Sequence, residues 1–373
     1  MVKYYFYLLL VLSLVSCIEP YDATVRHDIT VLIVDGTIND QDSVQTISLK
    51  RSIPNSSFVT TQLVTGATMT VLVNGATTIA FTETSSGQYT APTGFKGQVG
   101  NTYQLKIQTS DGQEYESTVE EMPTVPPISG IHQDFSPDAI QKDDFTKLPA
   151  HNLYVEFKDP VETRNFYQWK YTHWEKQPIC ATCINGLYQT SVSECVPLSP
   201  PPSTTFQYDY ACQGNCWDIY YSTAVMIYTD LYSNGHTVTD QLVAQIPYYQ
   251  RENTLVEIQQ ISLSTGAYRY YQLIDQQTQR TGTLADTPPA ALVGNVKNLT
   301  NPNEYVAGYF SVSSITKIRY TVDRSDAILG GYAPIGYPSH TIVLEPSTDP
   351  GRPPLATCKL SSSRTPNTPE GWQ

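Results

Sequence analysis

The chain has 373 residues, enough for two domains of ordinary size, and its 40% hydrophobic content sustains a packed core. Charged residues make up only 15%, and the net charge of −13 comes without any Lys/Arg block, which excludes a nucleic-acid-binding surface and electrostatic attachment to anionic lipid. With 27 tyrosines and abundant Ser, Thr, Gln and Asn, the composition favours strands over helices.

The chain opens with Lys3, the apolar run Tyr4 to Val15, then Ser16 and Cys17. A basic start, a short greasy stretch, a small residue and a cysteine form a bacterial lipoprotein signal. The run is too short for a hydrocarbon core that needs roughly 20 residues, so it reads as a removable leader and not a spanning helix. Residues 1–16 are expected to be cleaved and the Cys17 thiol lipidated. Two or more acyl chains then hold the chain on a membrane, at about 0.8 kcal/mol per buried methylene. Ile18, not Asp, follows Cys17, which points to the outer membrane, with the chain facing the periplasm or the cell surface. Residues 17–27 read as the lipidated tether.

From Ile29 onward short strands alternate with tight turns. Ile29 to Val34 is a strand candidate closed by Asp35-Gly36, and Val44 to Leu49 alternates apolar and polar. Met69 to Val73 runs into Asn74-Gly75, a strong hairpin signal, with Thr77 to Thr82 as the return strand. Tyr103 to Ile107, turned by Asp111-Gly112 into Tyr115 to Val119, completes the pattern of an immunoglobulin-like β-sandwich over 28–125. Met122 to Pro127 is the expected exit, because proline cannot join a central strand.

A second, larger β-rich domain is expected over 126–373. Leu153 to Phe157, Asn165 to Trp174, Trp217 to Tyr228 and Thr254 to Leu263 are its strand candidates. On the second of these, Tyr167, Trp169 and Tyr171 share a face, which fits half of a sandwich core or, alternatively, a platform for a small-molecule or peptide ligand. One helix follows: Ser264 is its N-cap, Ala267, Tyr270, Tyr271 and Ile274 its apolar face, and Gly282 its end. Tyr305 to Val312 and Ile315 to Thr321 read as a hairpin, and the tail from Ser361 as loose. Overall the expected fold is mostly β, with one helix and a cysteine-rich loop insertion at 176–216.

After Cys17 the cysteines are Cys180, Cys183, Cys195, Cys212, Cys216 and Cys358. An even number in an exported chain implies disulfides, and six thiols allow 15 pairings. The rival is a zinc site, since Cys180-x-x-Cys183 and Cys212-x-x-x-Cys216 have knuckle-like spacing. No nucleophile elbow, zinc-protease helix or phosphate loop occurs. Ser314-x-x-Lys317 matches a β-lactamase-type fragment without its companion motifs. Asp134, Asp138, Asp143 and Asp144 are the acidic residues available to calcium, or simply a solvated loop. The reading assigns no catalytic residue, metal or cofactor.

The run Thr281 to Pro289, followed by Gly294-Asn295-Val296-Lys297-Asn298, Asn301-Pro302-Asn303-Glu304 and Gly308-Tyr309-Phe310, resembles a Bacteroidota outer-membrane lipoprotein family described only by a domain of unknown function, DUF4249. Cys17, Ile33 to Gly36, Tyr103 and Asp111-Gly112 agree with it. The resemblance spans nearly the whole mature chain and implies a lipoprotein encoded beside a TonB-dependent receptor. The expected function is therefore a non-enzymatic accessory or ligand-capture partner of such a receptor. The alternatives are a structural or envelope-assembly lipoprotein and, behind it, a hydrolase.

Overall fold

A computed structural model describes residues 30–54, 59–143, 145–161, 164–278, 292–336, 340–346 and 355–373. Cys17, the leader, the tether, Asp144, and the Thr281 to Pro289 run with Gly282 lie outside the described residues.

The first part is a set of short strands: β1 (Leu32–Asn39), β2 (Thr46–Pro54), β3 (Val59–Leu63), β4 (Thr68–Val73), β5 (Thr77–Ser85), β6 (Gln88–Thr90), β7 (Thr102–Gln108), β8 (Glu114–Ser117) and β9 (Glu120–Glu121). Alternate side chains point to opposite faces of a strand. Leu32, Val34 and Ile38 of β1, Met69 and Val71 of β4, and Tyr103, Leu105 and Ile107 of β7 therefore meet in one core. Asn74 and Gly75 both take positive φ, 51° and 66°, and turn β4 into β5 as expected. Asp35-Gly36 does not turn. β1 runs through it, because Gly36 faces Ile47 of β2 so closely that a Cβ would fall 2.6 Å from Ile47 Cγ1.

The second part begins with β10 (Ile128–Gln141), β11 (Lys147–Lys158) and β12 (Phe166–Lys176). The cysteine-rich insertion follows, with β13 (Ile179–Ile184), β14 (Gly186–Gln189), β15 (Glu194–Pro197) and β16 (Gln207–Ala211). Then come β17 (Trp217–Tyr221), β18 (Met226–Thr229), β19 (Thr237–Pro247), β20 (Thr254–Ser262) and helix α1 (Thr265–Thr278). The chain ends with β21 (Val296–Asn298), β22 (Val306–Ser313), β23 (Ile315–Val322), helix α2 (Ser325–Leu329) and β24 (Arg364–Thr365).

These strands assemble as a mostly β protein. The first sheet has 11 strands in the order β21-β8-β7-β4-β5-β6-β2-β1-β22, with β3 on β2 and β9 on β7. Strands from 296–313 thus complete a layer begun before residue 125. β22 lies parallel to β1, from Leu32 opposite Val306 to Asn39 opposite Ser313. An isolated bridge from Val293 to Ala307 brings the segment just before β21 beside β22, the other end of this order. A 3-stranded sheet, β10-β11-β19, packs against a 6-stranded sheet, β23-β20-β12-β17-β24 with β18 on β12, around Phe157, Trp169, Ile246 and Val256.

Two further expectations change. The hairpin expected from β22 and β23 is a crossing between sheets: β22 pairs with β1, β23 with β20. Ser314 anchors that crossing, its hydroxyl donating to Pro123 O at 2.7 Å and its amide to Ser262 Oγ. The exit at 122–127 runs outside the strands and is pinned there, since Ser262 Oγ also donates to Pro123 O and Gln260 Nε2 to Pro126 O. Finally, the insertion is a folded unit with two 2-stranded sheets and its own core of Cys183, Tyr188, Tyr210 and Ala356.

Candidate functional site

The aromatic face of β12 lies inside the second core. Tyr167 and Trp169 are 0% and 1% exposed, and Phe157 and Tyr228 crowd their rings. Trp169 Nε1 donates to Gln260 Oε1 at 3.1 Å, and the Tyr167 hydroxyl donates to Asp159 Oδ1 at 2.7 Å. Burial, aided by Asp159, raises the Tyr167 pKa far above that of a free phenol. Tyr171 is half-buried, its hydroxyl donating to Gln245 O. As folded, the rings of Tyr167 and Trp169 have no free face to offer a ligand. The row does continue outward: Tyr171 leads to His173, which stacks on Tyr220 at 4.8 Å between centroids.

Tyr220 edges a cleft of about 830 Å³ between the cysteine-rich unit, β17 and the C-terminal segment. The six cysteines form three disulfides, so the zinc reading gives way. Cys180–Cys212 and Cys183–Cys195 fold the unit on itself, and Cys216–Cys358, 142 residues apart in sequence, ties the tail to the end of β17. The sulfurs of Cys180, Cys216 and Cys358 lie within 4.8 Å of one another, but each is already bonded and has no thiolate to give a metal.

Polar groups of both signs line the cleft. The guanidinium of Arg364 forks the Asp218 carboxylate at 2.5 and 3.1 Å and donates to Cys180 O at 3.1 Å. At the rim Lys359 Nζ meets Glu194 Oε1 at 3.1 Å, with both side chains more than half exposed. Tyr188 accepts the Thr357 amide on its hydroxyl, pinning the tail beside β14. An open cleft with aromatic edges, hydroxyls and fixed donors and acceptors can hold a polar ligand through several weak contacts. Among its described lining residues there is no histidine and no free thiol.

The sequence reading missed Asp218, Lys359 and Arg364, and took the tail as loose. Arg364–Thr365 is a strand on β17, and Trp372 packs edge-on to Trp217 at 5.6 Å. The signal was present: five cysteines fall within 180–216, so in a fully paired set the odd one must reach Cys358. Other candidates dissolve. Ser314 is 1% exposed with its hydroxyl committed to the 122–127 segment. Asp134 and Asp138 sit on β10, not in a loop, and Asp143 is in the turn after it.

Residues of the family-like block turn out to hold the two parts together. Asn295 donates to Phe310 O at 2.8 Å and accepts from Phe310 N at 2.9 Å. Gly294 passes so near β22 that a Cβ would fall 1.6 Å from Gly308 O. The buried Glu120 carboxylate accepts from Tyr309 at 3.0 Å, Asn295 at 3.2 Å, Thr118 at 2.7 Å and Ser264 at 2.5 Å. Ser264 in turn caps α1, accepting the Ala267 amide.

The fold and cleft define a disulfide-stapled, mostly β protein whose two parts are joined by a buried polar knot. A domain of unknown function, DUF4249, matches residues 18–319, and the chain belongs to that family. No curated protein and no solved structure matches it. One third of the cleft lining, the residues from Thr357 to Arg364, lies beyond the matched residues.

Proposed function

We propose that the chain is a non-enzymatic outer-membrane lipoprotein, anchored through Cys17, that serves as an accessory, ligand-capture partner of a TonB-dependent receptor. Its cleft is the surface presented to the receptor and its ligand. The observation that carries this reading is the cleft itself: a concavity tied by disulfides and lined by aromatic edges and charged groups of both signs, with no lining residue from the N-terminal sheet. Preformed sites of this kind limit the ordering entropy lost on binding. The lipoprotein signal and the family resemblance support the anchor and the partner.

The test is purification of the native full chain from its own membranes in mild detergent. A mature chain beginning at Cys17 with added acyl mass, recovered together with a TonB-dependent receptor, is the expected result. An unmodified amino terminus, or recovery of the chain without any transport protein, contradicts the proposal.

A further inference from the structure

We propose that Cys180 is a thiol–disulfide exchange site, through which a dithiol reductant at the cleft acts on the buried Cys216–Cys358 bond. Two disulfides meet here with unequal access. Cys180 lines the cleft, and both it and Cys212 are half-buried, whereas Cys216 and Cys358 are 0% and 6% exposed. A reductant therefore reaches the first bond and not the second. The Cys180 sulfur nevertheless lies within 4.8 Å of both sulfurs of the second. Exchange proceeds by thiolate attack on a disulfide sulfur, so proximity of a third sulfur is its geometric requirement.

The steps balance as follows. One thiolate of the external dithiol attacks Cys180 Sγ from the cleft, forming a mixed disulfide and releasing Cys212 as a thiolate that takes up a proton. The second thiol of the reductant resolves the mixed disulfide, so the reductant leaves oxidised and Cys180 is released as a thiolate. Two electrons have moved from the dithiol to the Cys180–Cys212 pair. The Cys180 thiolate then attacks the Cys216–Cys358 bond with no further redox change. Attack at Cys216 forms Cys180–Cys216, and Cys358 departs as a thiolate that takes up a proton. Attack at Cys358 forms Cys180–Cys358 and frees Cys216 instead. Either product re-anchors or frees the segment bearing Thr357 and Lys359, which is one wall of the cleft. Reduction at the surface would thus reshape the cleft. Arg364 on Asp218 and the β17–β24 pairing would still hold the outer end of the tail.

Two single variants of the full chain separate this from ordinary reducibility, because each loses the same disulfide and only the surviving thiol differs. They are purified without reductant, held near pH 8.5, where a free thiol is about half ionised, then alkylated with N-ethylmaleimide and peptide-mapped. Cys212→Ser leaves Cys180 free and is expected to yield a Cys180–Cys216 or Cys180–Cys358 linked peptide, with the label on the displaced cysteine. Cys180→Ser leaves Cys212 free and is expected to keep Cys216–Cys358 closed, with about tenfold less label at those two positions. A Cys212→Ser chain labelled at Cys180 with its buried bond intact overturns the proposal, as does equal scrambling in both variants. Wild-type chain treated with limiting dithiothreitol gives a readout that needs no variant to fold. The same non-native linked peptides should accumulate once Cys180–Cys212 opens, and a buried bond that stays closed after Cys180 is fully labelled contradicts the relay.

Discussion

His173 is the residue whose environment is most at odds with its chemistry. It is 3% exposed, neither ring nitrogen has a hydrogen-bond partner, and its Nε2 stands 3.9 Å from Glu175 Oε1. Glu175 is already engaged by the guanidinium of Arg324, which is itself fully buried and also donates to the carbonyls of Pro247, Gln250 and Glu252. Burial first, and Arg324 second, lower the His173 pKa to about 3. Burial also lowers that of His151, against the pull of Asp326. In the unfolded chain a histidine protonates near pH 6.5. Between that pH and about 3 the unfolded chain binds more protons at His173 than the folded one, so stability is full above pH 6.5 and falls as the pH drops. The slope from one such group is at most about 1.4 kcal/mol per pH unit. His173→Phe should change stability at pH 7.5 by no more than about 1 kcal/mol, because it removes polar atoms that make no bond. Urea midpoints measured from pH 7.5 to 4.5 should fall more gently in the variant than in the wild type, and parallel acid limbs would remove His173 as a cause. At this scale strand alternation places His173 on the same face of β12 as Tyr167, Trp169 and Tyr171, but a lone histidine carries no sign of whether its nitrogens will find partners.

Among the elements, α1 and the strands around it join the two parts. The helix was legible: Ser264 caps it, and Ala267 is 1% exposed on the face that the spacing defined. What the spacing could not show is that the same Ser264 hydroxyl also donates to Glu120, 144 residues away. Tyr309 completes that site from β22, and burial together with Glu120 raises its pKa well above that of a free phenol. Tyr309→Phe removes one donor from a buried carboxylate. It should cost about 1–3 kcal/mol in denaturant unfolding, and toward the lower end because three donors remain. A shift below a few tenths of a kcal/mol would mean that Glu120 does not depend on Tyr309. The β22–β23 crossing was illegible for a related reason. Two strands joined by Ser313-Ser314 show the same alternation whether they pair with each other or with β1 and β20. Gly36 misled similarly, since a glycine that permits close sheet packing looks in sequence like one that permits a turn.

For the whole molecule, composition and turn spacing sufficed for a mostly β chain, and cysteine parity for disulfides. Neither could reveal that the first sheet is completed by strands more than 250 residues downstream of β1, because pairing partners at that separation leave no local pattern. The cleft was hidden for the same reason: its walls come from β13, β14, β15, β17 and a tail tied to them by Cys216–Cys358, the Arg364–Asp218 pair and the β17–β24 pairing. The central claim is that this cleft faces the receptor. It is tested most directly by placing a photo-crosslinking side chain at Lys359 on the rim and, as a control on a sheet that does not line the cleft, at the exposed Thr78 of β5, in cells carrying the native membrane. The account predicts a covalent adduct with a TonB-dependent receptor from position 359 and none from position 78. No adduct at 359, or equal adducts from both positions, would contradict it.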